Sequence, residues 1–314
     1  MDISSFYFLG EIMKKTSIGG MALLEGIMMI GPGKKAVAVR KPDNEIDLQV
    51  EELKYNNKLR KIPFLRGSVA LFSQMVHGIR ALMYAANFYD IESDEEPTKF
   101  EKWLDKKFGD KLVNIMIYFS VIVSLFFSVG LFIILPNTII SLISKNNVIL
   151  NNLLEGVVRI ALFIGYLVLV SQMKDIRRVW MYHGAEHKTI STYEHGEELI
   201  VENTKKYTTY HKRCGTSFMF IVLIVSVIVF SFAGWNSVWM NALIRIILIP
   251  VVAGISYEII KISGRTDGIF SKIISAPGLW LQRLTTKEPD DDMVEVAIAA
   301  FNAVLPEVEG EDKW

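Results

Sequence analysis

The chain has 314 residues, 51 % of them hydrophobic, and a mean hydropathy of +0.31, too apolar for an ordinary soluble domain and pointing to membrane spans. Thirty-four basic residues balance thirty-four acidic ones, which argues against nucleic acid as a partner. The single cysteine, Cys214, excludes an intramolecular disulfide and a four-cysteine zinc site.

Ile3 to Met13 is apolar but short, interrupted by Glu11 and followed rather than preceded by Lys14 and Lys15, the wrong order for a secretory signal. Ile18 to Gly33 is an apolar run punctuated by glycines, with Glu25 at its centre, and too short to cross a bilayer of about 30 Å as a helix. It lacks the G-x-G-x-x-G spacing of a dinucleotide site and reads as a buried strand with tight turns, a ligand loop being the alternative. Val37 and Val39, then Ile46, Leu48 and Val50, alternate on either side of Pro42-Asp43-Asn44 and predict a β-hairpin. From Ser68 the period becomes helical: Phe72, Met75, Val76, Ile79, Leu82, Met83 and Ala86 form one stripe, with His77 and Arg80 turned away. The stripe suits either the membrane interface or packing on the sheet. Asp90 to Glu96 reads as a solvated connector ending at Pro97.

Val113 to Leu135 is charge-free, preceded by lysines and followed by Pro136, and predicts a first span that stops there. Leu150 to Val170 predicts a second, carrying Glu155 and Arg159 four residues apart. Phe218 to Ala233 predicts a third, and Met240 to Ile260 a fourth, with Arg245, Pro250 and Glu258. Charges in a span mark a functional path or a structural pair, and a structural network among Glu155, Arg159 and Arg245 is the cheaper explanation. Lys and Arg number 17 before the first span, eight between the second and third and six after the fourth, against Lys145 alone in the short connectors. The positive-inside rule then puts both termini and the segment between spans two and three in the cytoplasm.

That segment holds four of the five histidines. Its densest part is His183, Glu186 and His187, an H-x-x-E-H arrangement. Residues three and four apart share a helix face, so both histidines can offer ring nitrogens to one divalent cation, zinc being the natural choice, while Glu186 serves as general base toward a water that the cation activates. The candidates for a third ligand are His211, Glu194 and Glu258, with Glu25 in reserve and His195 nearby. The competing reading is a wet juxtamembrane segment rich in His, Lys and Tyr, its helix weakened by Gly184.

Ile269 to Leu284 reads as an interfacial segment broken at Pro277-Gly278. A helix beginning near Thr285 to Pro289 has Asp290, Asp291 and Asp292 at its positive end, and an apolar face of Met293, Val296, Ala297, Ala300, Phe301 and Val304 that should dock on something. The expected fold is a mainly α membrane protein with four transmembrane helices in two hairpins and a cytosolic face containing a small N-terminal β-sheet and amphipathic helices. Its parts are a cytosolic α+β region (1–112), hairpin one (113–171), the His-rich segment (172–216), hairpin two (217–260), and an interfacial segment with the C-terminal helix (261–314).

Gly19 to Pro32, Tyr182 to Thr189, His211 to Ser217, Pro277 to Gln282 and Thr285 to Pro289 together resemble the YqhQ-type family of bacterial membrane proteins, a domain of unknown function sometimes labelled a predicted metal-dependent enzyme. The resemblance implies a bacterial inner membrane location and names no substrate. The expected function is metal-dependent hydrolysis of a membrane-associated substrate. The alternative is a non-catalytic scaffold or assembly factor with a structural His cluster, whose cytosolic face binds a protein partner. A transporter is poorly supported, since no paired broken helices occur.

Overall fold

The computed structural model describes residues 15–53, 62–89, 112–143, 147–266, 268–308 and 310–313. The Ile3 to Met13 run, the Asp90 to Glu96 connector and Lys145 lie outside them. Four strands, β1 (Gly19–Leu23), β2 (Gly26–Ile30), β3 (Lys34–Arg40) and β4 (Ile46–Glu52), form an antiparallel meander in sequence order. Glu25 turns the first hairpin with φ 49°, and Asn44 the third with φ 68°. The two middle strands are buried on both faces, which is why Ile18 to Gly33 reads as a continuous apolar run rather than an alternating one. Ile27, Met29, Ala36 and Ala38 pack on one side with Tyr182, Met293 and Phe301, while Leu23, Met28, Val37 and Val39 meet Ala81 and Ala85 on the other.

The second layer beneath the sheet is α1 (Leu65–Ala86). Its buried residues are the small ones, Gly67, Gly78, Ala81 and Ala85, whereas Phe72, Met75 and Leu82 of the apolar stripe are exposed, which goes against packing of that stripe on the sheet and leaves its outward reading. His77, expected to face away, lines a cavity. Small residues win the inward face because α1 crosses its neighbours at backbone contact: a Cβ on Gly67 would lie 2.5 Å from Tyr257 Cβ, and one on Gly254 2.4 Å from the Phe64 carbonyl.

Next come α2 (Leu112–Val129), a π-helical turn (Gly130–Ile134) and α3 (Leu135–Ile143) in one continuous rod. Pro136 does not end this helix. The Leu135 N–H bonds the Gly130 carbonyl in the wider π register, and the Phe132 carbonyl, four residues before Pro136, accepts from Arg159 Nε at 2.9 Å instead. The chain continues through α4 (Val148–Val170), α5 (Lys174–Glu194), the short α6 (Val201–Thr204), α7 (Gly215–Ser231), α8 (Val238–Arg265), α9 (Ile269–Thr285) and α10 (Asp291–Ala303). Pro277-Gly278 does not break α9; Gly278 lets it cross α7 so closely that a Cβ there would sit 2.1 Å from Ser217 Oγ. The apolar face of α10 docks on β2, β3 and α5, burying Met293, Val296, Ala297, Ala300 and Phe301.

Among the described residues three helical stretches are long and apolar enough to cross a bilayer: Tyr118–Ile143, Val148–Val170 and Val238–Arg265. The expected third span, α7, is apolar but has 17 residues, about 25 Å at 1.5 Å per residue. It packs on α4, α8 and α9. Within this bundle Glu155 forms ion pairs with both Arg159 and Arg245, all three at most 5 % exposed. Arg159 also donates to the Phe132 carbonyl and to Ser226 Oγ, both at 2.9 Å. With the Asn137 amide turned so that its oxygen accepts, it takes bonds from Arg245 Nη1 at 2.7 Å and Asn241 Nδ2 at 3.1 Å. One charged cluster thus ties α3, α4, α7 and α8 together.

Candidate metal centre

Helix α5 carries the centre because its register puts His183, Glu186 and His187 on one side and Gly184 on another. A Cβ on Gly184 would lie 2.1 Å from the Lys287 carbonyl, so the glycine admits the segment after α9 directly onto the helix. Lys287 N–H bonds the Trp180 carbonyl at 2.9 Å, and the Thr285 carbonyl accepts from His183 Nδ1 at 2.7 Å. His187 Nδ1 donates to the Thr209 carbonyl at 2.6 Å. Each histidine therefore spends its δ nitrogen on a backbone carbonyl, which fixes the ring and turns Nε2 toward the interior.

What those ε nitrogens face is Cys214. One ring nitrogen of His183, one of His187 and Cys214 Sγ all lie within 4.8 Å of one another, and His183 Nε2 is 3.2 Å from the sulfur. The His187 ring is 1 % exposed and its Nε2 has no hydrogen-bond partner. Cys214 is the N-cap of α7, its sulfur accepting from Thr216 N–H at 3.3 Å. Burial by itself would push the thiol up, but the neighbouring His183 and His187 imidazoles outweigh it and hold Cys214 well below the ordinary thiol range. Burial works against a proton on His183 too, yet the sulfur and Glu186 raise it to about 9. Glu186 is raised chiefly by its own burial, and its Oε1 accepts from Gly20 N–H at 2.9 Å.

The donor set fits a zinc ion. Zinc bonds of about 2.0 Å to nitrogen and 2.3 Å to sulfur at a tetrahedral angle separate N and S by about 3.5 Å. The observed 3.2 Å is a few tenths short of that, so little movement is needed. The orphaned His187 Nε2 is the strongest sign, since a buried acceptor left unmatched costs about 1–3 kcal/mol and a cation would satisfy it. Glu186, His187 and Cys214 also line a cavity of about 380 Å³, which leaves room for a fourth ligand position.

The other sequence candidates sit elsewhere. His211 stacks near His187, ring centroids 5.6 Å apart, but its Nε2 faces Glu194 at 3.3 Å. Glu194 also takes the Arg213 guanidinium and the Thr16 N–H; burial opposes its charge, yet His211 and Arg213 prevail and lower its pKa. Glu25 is forked by Arg178 and clamps the β1–β2 turn to α5. Glu258 pairs with Arg66 and accepts from Phe64 N–H, pinning α1 to α8. His195 ends α5, bonded to the Ser191 carbonyl and stacked on Tyr207. Sequence spacing does not bring Cys214 into this group. Its signal was a thiol at the first turn of an apolar helix, three residues past His211, in the segment that holds the histidines.

A family model described as "Protein of unknown function (DUF1385)" matches residues 62–307. The chain belongs to this family. It is 35 % identical over 294 residues to "Uncharacterized protein YqhQ" of Bacillus subtilis (strain 168), covering 91 % of this chain and 92 % of that one. No solved structure matches. The family match includes every residue of the His–His–Cys group, while β1, whose Gly20 anchors Glu186, precedes it.

Proposed function

We propose that the protein is a zinc-dependent hydrolase of the bacterial inner membrane, with His183, His187 and Cys214 as metal ligands and Glu186 as general base. The observation that carries this is a convergence: two helix-borne imidazoles, each fixed through Nδ1 to a backbone carbonyl, meet a thiolate-prone cysteine. A bound zinc ion supplies Lewis acidity that makes water a nucleophile at neutral pH. Glu186 accepts that water's proton, and the Gly20 N–H keeps the carboxylate aimed at the cavity. The His211–Glu194–Arg213 cluster holds the wall behind His187. In this reading α7 is the fourth membrane helix, and the basic segments place both termini and the metal centre on the cytoplasmic side.

One contact favours a second reading. The His183–Cys214 pair at 3.2 Å also has the form of a cysteine nucleophile with its base, in which His183 would return the proton to a leaving group. Metal analysis of untagged protein separates the two, with about one zinc per chain expected for the metal centre. Glu186→Gln keeps an oxygen for Gly20 and should hold zinc and fold normally, yet fail to complement a strain lacking the wild-type copy. Full complementation by a zinc-loaded Glu186→Gln protein would sink the hydrolase and leave a structural metal in a scaffold; absence of zinc from the wild type would leave the cysteine pair.

A further inference from the structure

Helix lengths set the level of the cavity beside the metal centre relative to a bilayer. The cavity's far wall is Ala70, Ser73 and Gln74 of α1 together with Tyr257 of α8. Trp239, 75 % exposed at the opposite end of α8, suits an interfacial anchor. Tyr257 is eighteen residues further along, about 27 Å at 1.5 Å per residue, against a hydrocarbon core of about 30 Å. Cys214 caps α7, and the length of that helix, about 25 Å, brings the metal centre to the same level. Cavity and centre therefore sit where acyl chains give way to headgroups on the sheet side.

On α1, Ser73 and Gln74 face inward while Phe72, 70 % exposed, and Met75 face out. The adjoining α9 likewise shows Ile269, Phe270 and Ile273. Beside the cavity's Tyr257, among the described residues, Arg66 and Lys261 each approach the ring at 5.9 Å and Arg265 follows Lys261 by one turn, with Glu258 paired to Arg66. A cavity of about 380 Å³ has room for a headgroup whose chains stay outside.

We propose that this cavity receives the anionic headgroup of a lipid entering sideways past α1 from the leaflet on the sheet side. The proposal assigns a substrate class to the hydrolytic centre and in that respect rests on that reading. Native mass spectrometry of the full-length protein in detergent, titrated with phosphatidylglycerol or phosphatidylcholine of matched chains, reads binding without turnover. Two cations in excess of Glu258 predict that phosphatidylglycerol is retained about thirtyfold more tightly. Ser73→Trp, or the milder Ala70→Leu, should fill the cavity and lose most of that binding, Phe72→Trp on the outer face should not, and Lys261→Gln should narrow the preference. Equal retention of both lipids, wild-type binding by a folded cavity-filled variant, or displacement of the lipid by free glycerol phosphate as effective as the whole molecule would overturn the proposal. A lipid preference in wild-type protein that holds no zinc would uphold the lipid site and refute the metal reading. Stoichiometric zinc with no lipid preference would do the reverse.

Discussion

Cys214→Ser separates the metal from the fold, because the side chain has two jobs of which serine can do only one. As the N-cap of α7, the sulfur accepts from Thr216 N–H at 3.3 Å; a serine hydroxyl is a better cap, and serine at this position is worth on the order of 1 kcal/mol relative to a residue that cannot cap. The helix should therefore persist or gain slightly. The ligand role is lost, since a neutral hydroxyl is a poor partner for zinc. Structural zinc sites contribute about 10–16 kcal/mol, so one ligand of four carries about 2.5–4 kcal/mol, or roughly a 10²- to 10³-fold loss of affinity.

Metal-buffered zinc competition on wild-type and Cys214→Ser protein, with melting temperatures taken with and without chelator, measures both jobs. The wild type should lose stability on chelation, because a ligand that binds only the folded state stabilises it by mass action. Chelation should leave the serine variant's melting temperature nearly unchanged, at or above that of the zinc-free wild type. The reasoning fails if Cys214→Ser binds zinc within about threefold of wild type, which is about 0.7 kcal/mol and far below a ligand's share.

Two further outcomes follow from the charge networks. Glu155→Gln should cost about 3–5 kcal/mol by leaving Arg159 and Arg245 buried without their carboxylate, and combining it with Arg245→Gln should recover part of that loss; additivity within about 0.5 kcal/mol in a double-mutant cycle on unfolding would show that the ion pair is not the coupling. Glu194 has a folded pKa below its ordinary 4.5, so its stabilisation is fully present above that pH and disappears as pH falls through the folded value. The melting-temperature deficit of Glu194→Gln should accordingly be constant above pH 4.5 and close below it, and a deficit that stays constant on acidification would refute the assignment.

Local period and charge made much of the architecture legible. The meander, the C-terminal helix with its buried face, and the Glu155 neighbourhood all rest on signals within a few residues of one another: alternation, a 3.6-residue stripe, or an i,i+4 pair. The errors share a cause. Pro136 and Pro277 read as breaks because proline removes a bond within its own helix, but whether a helix continues depends on neighbours far away, such as Arg159 on the Phe132 carbonyl or the α7 crossing at Gly278. The stripe of α1 leaves two readings open because periodicity locates two faces without saying which is inside. Where the outside is lipid, Phe72 and Met75 belong there and the glycines and alanines make the contact.

The centre divides in the same way. His183, Glu186 and His187 belong to one turn of one helix, and their spacing alone brings them together. Cys214, Thr209, Thr285 and Gly20 reach them from four other places in the chain, and each contributes through backbone or a single atom rather than through a pattern. This distribution also bears on function. A juxtamembrane helix rich in histidine needs no carbonyl from the end of α9, no carbonyl from the loop after α6 and no strand N–H on its one inward carboxylate. That five segments converge to orient two ring nitrogens, a sulfur and a carboxylate around a cavity requires a reason beyond solvation, and preorganisation of ligands and base is the one that accounts for all four atoms at once.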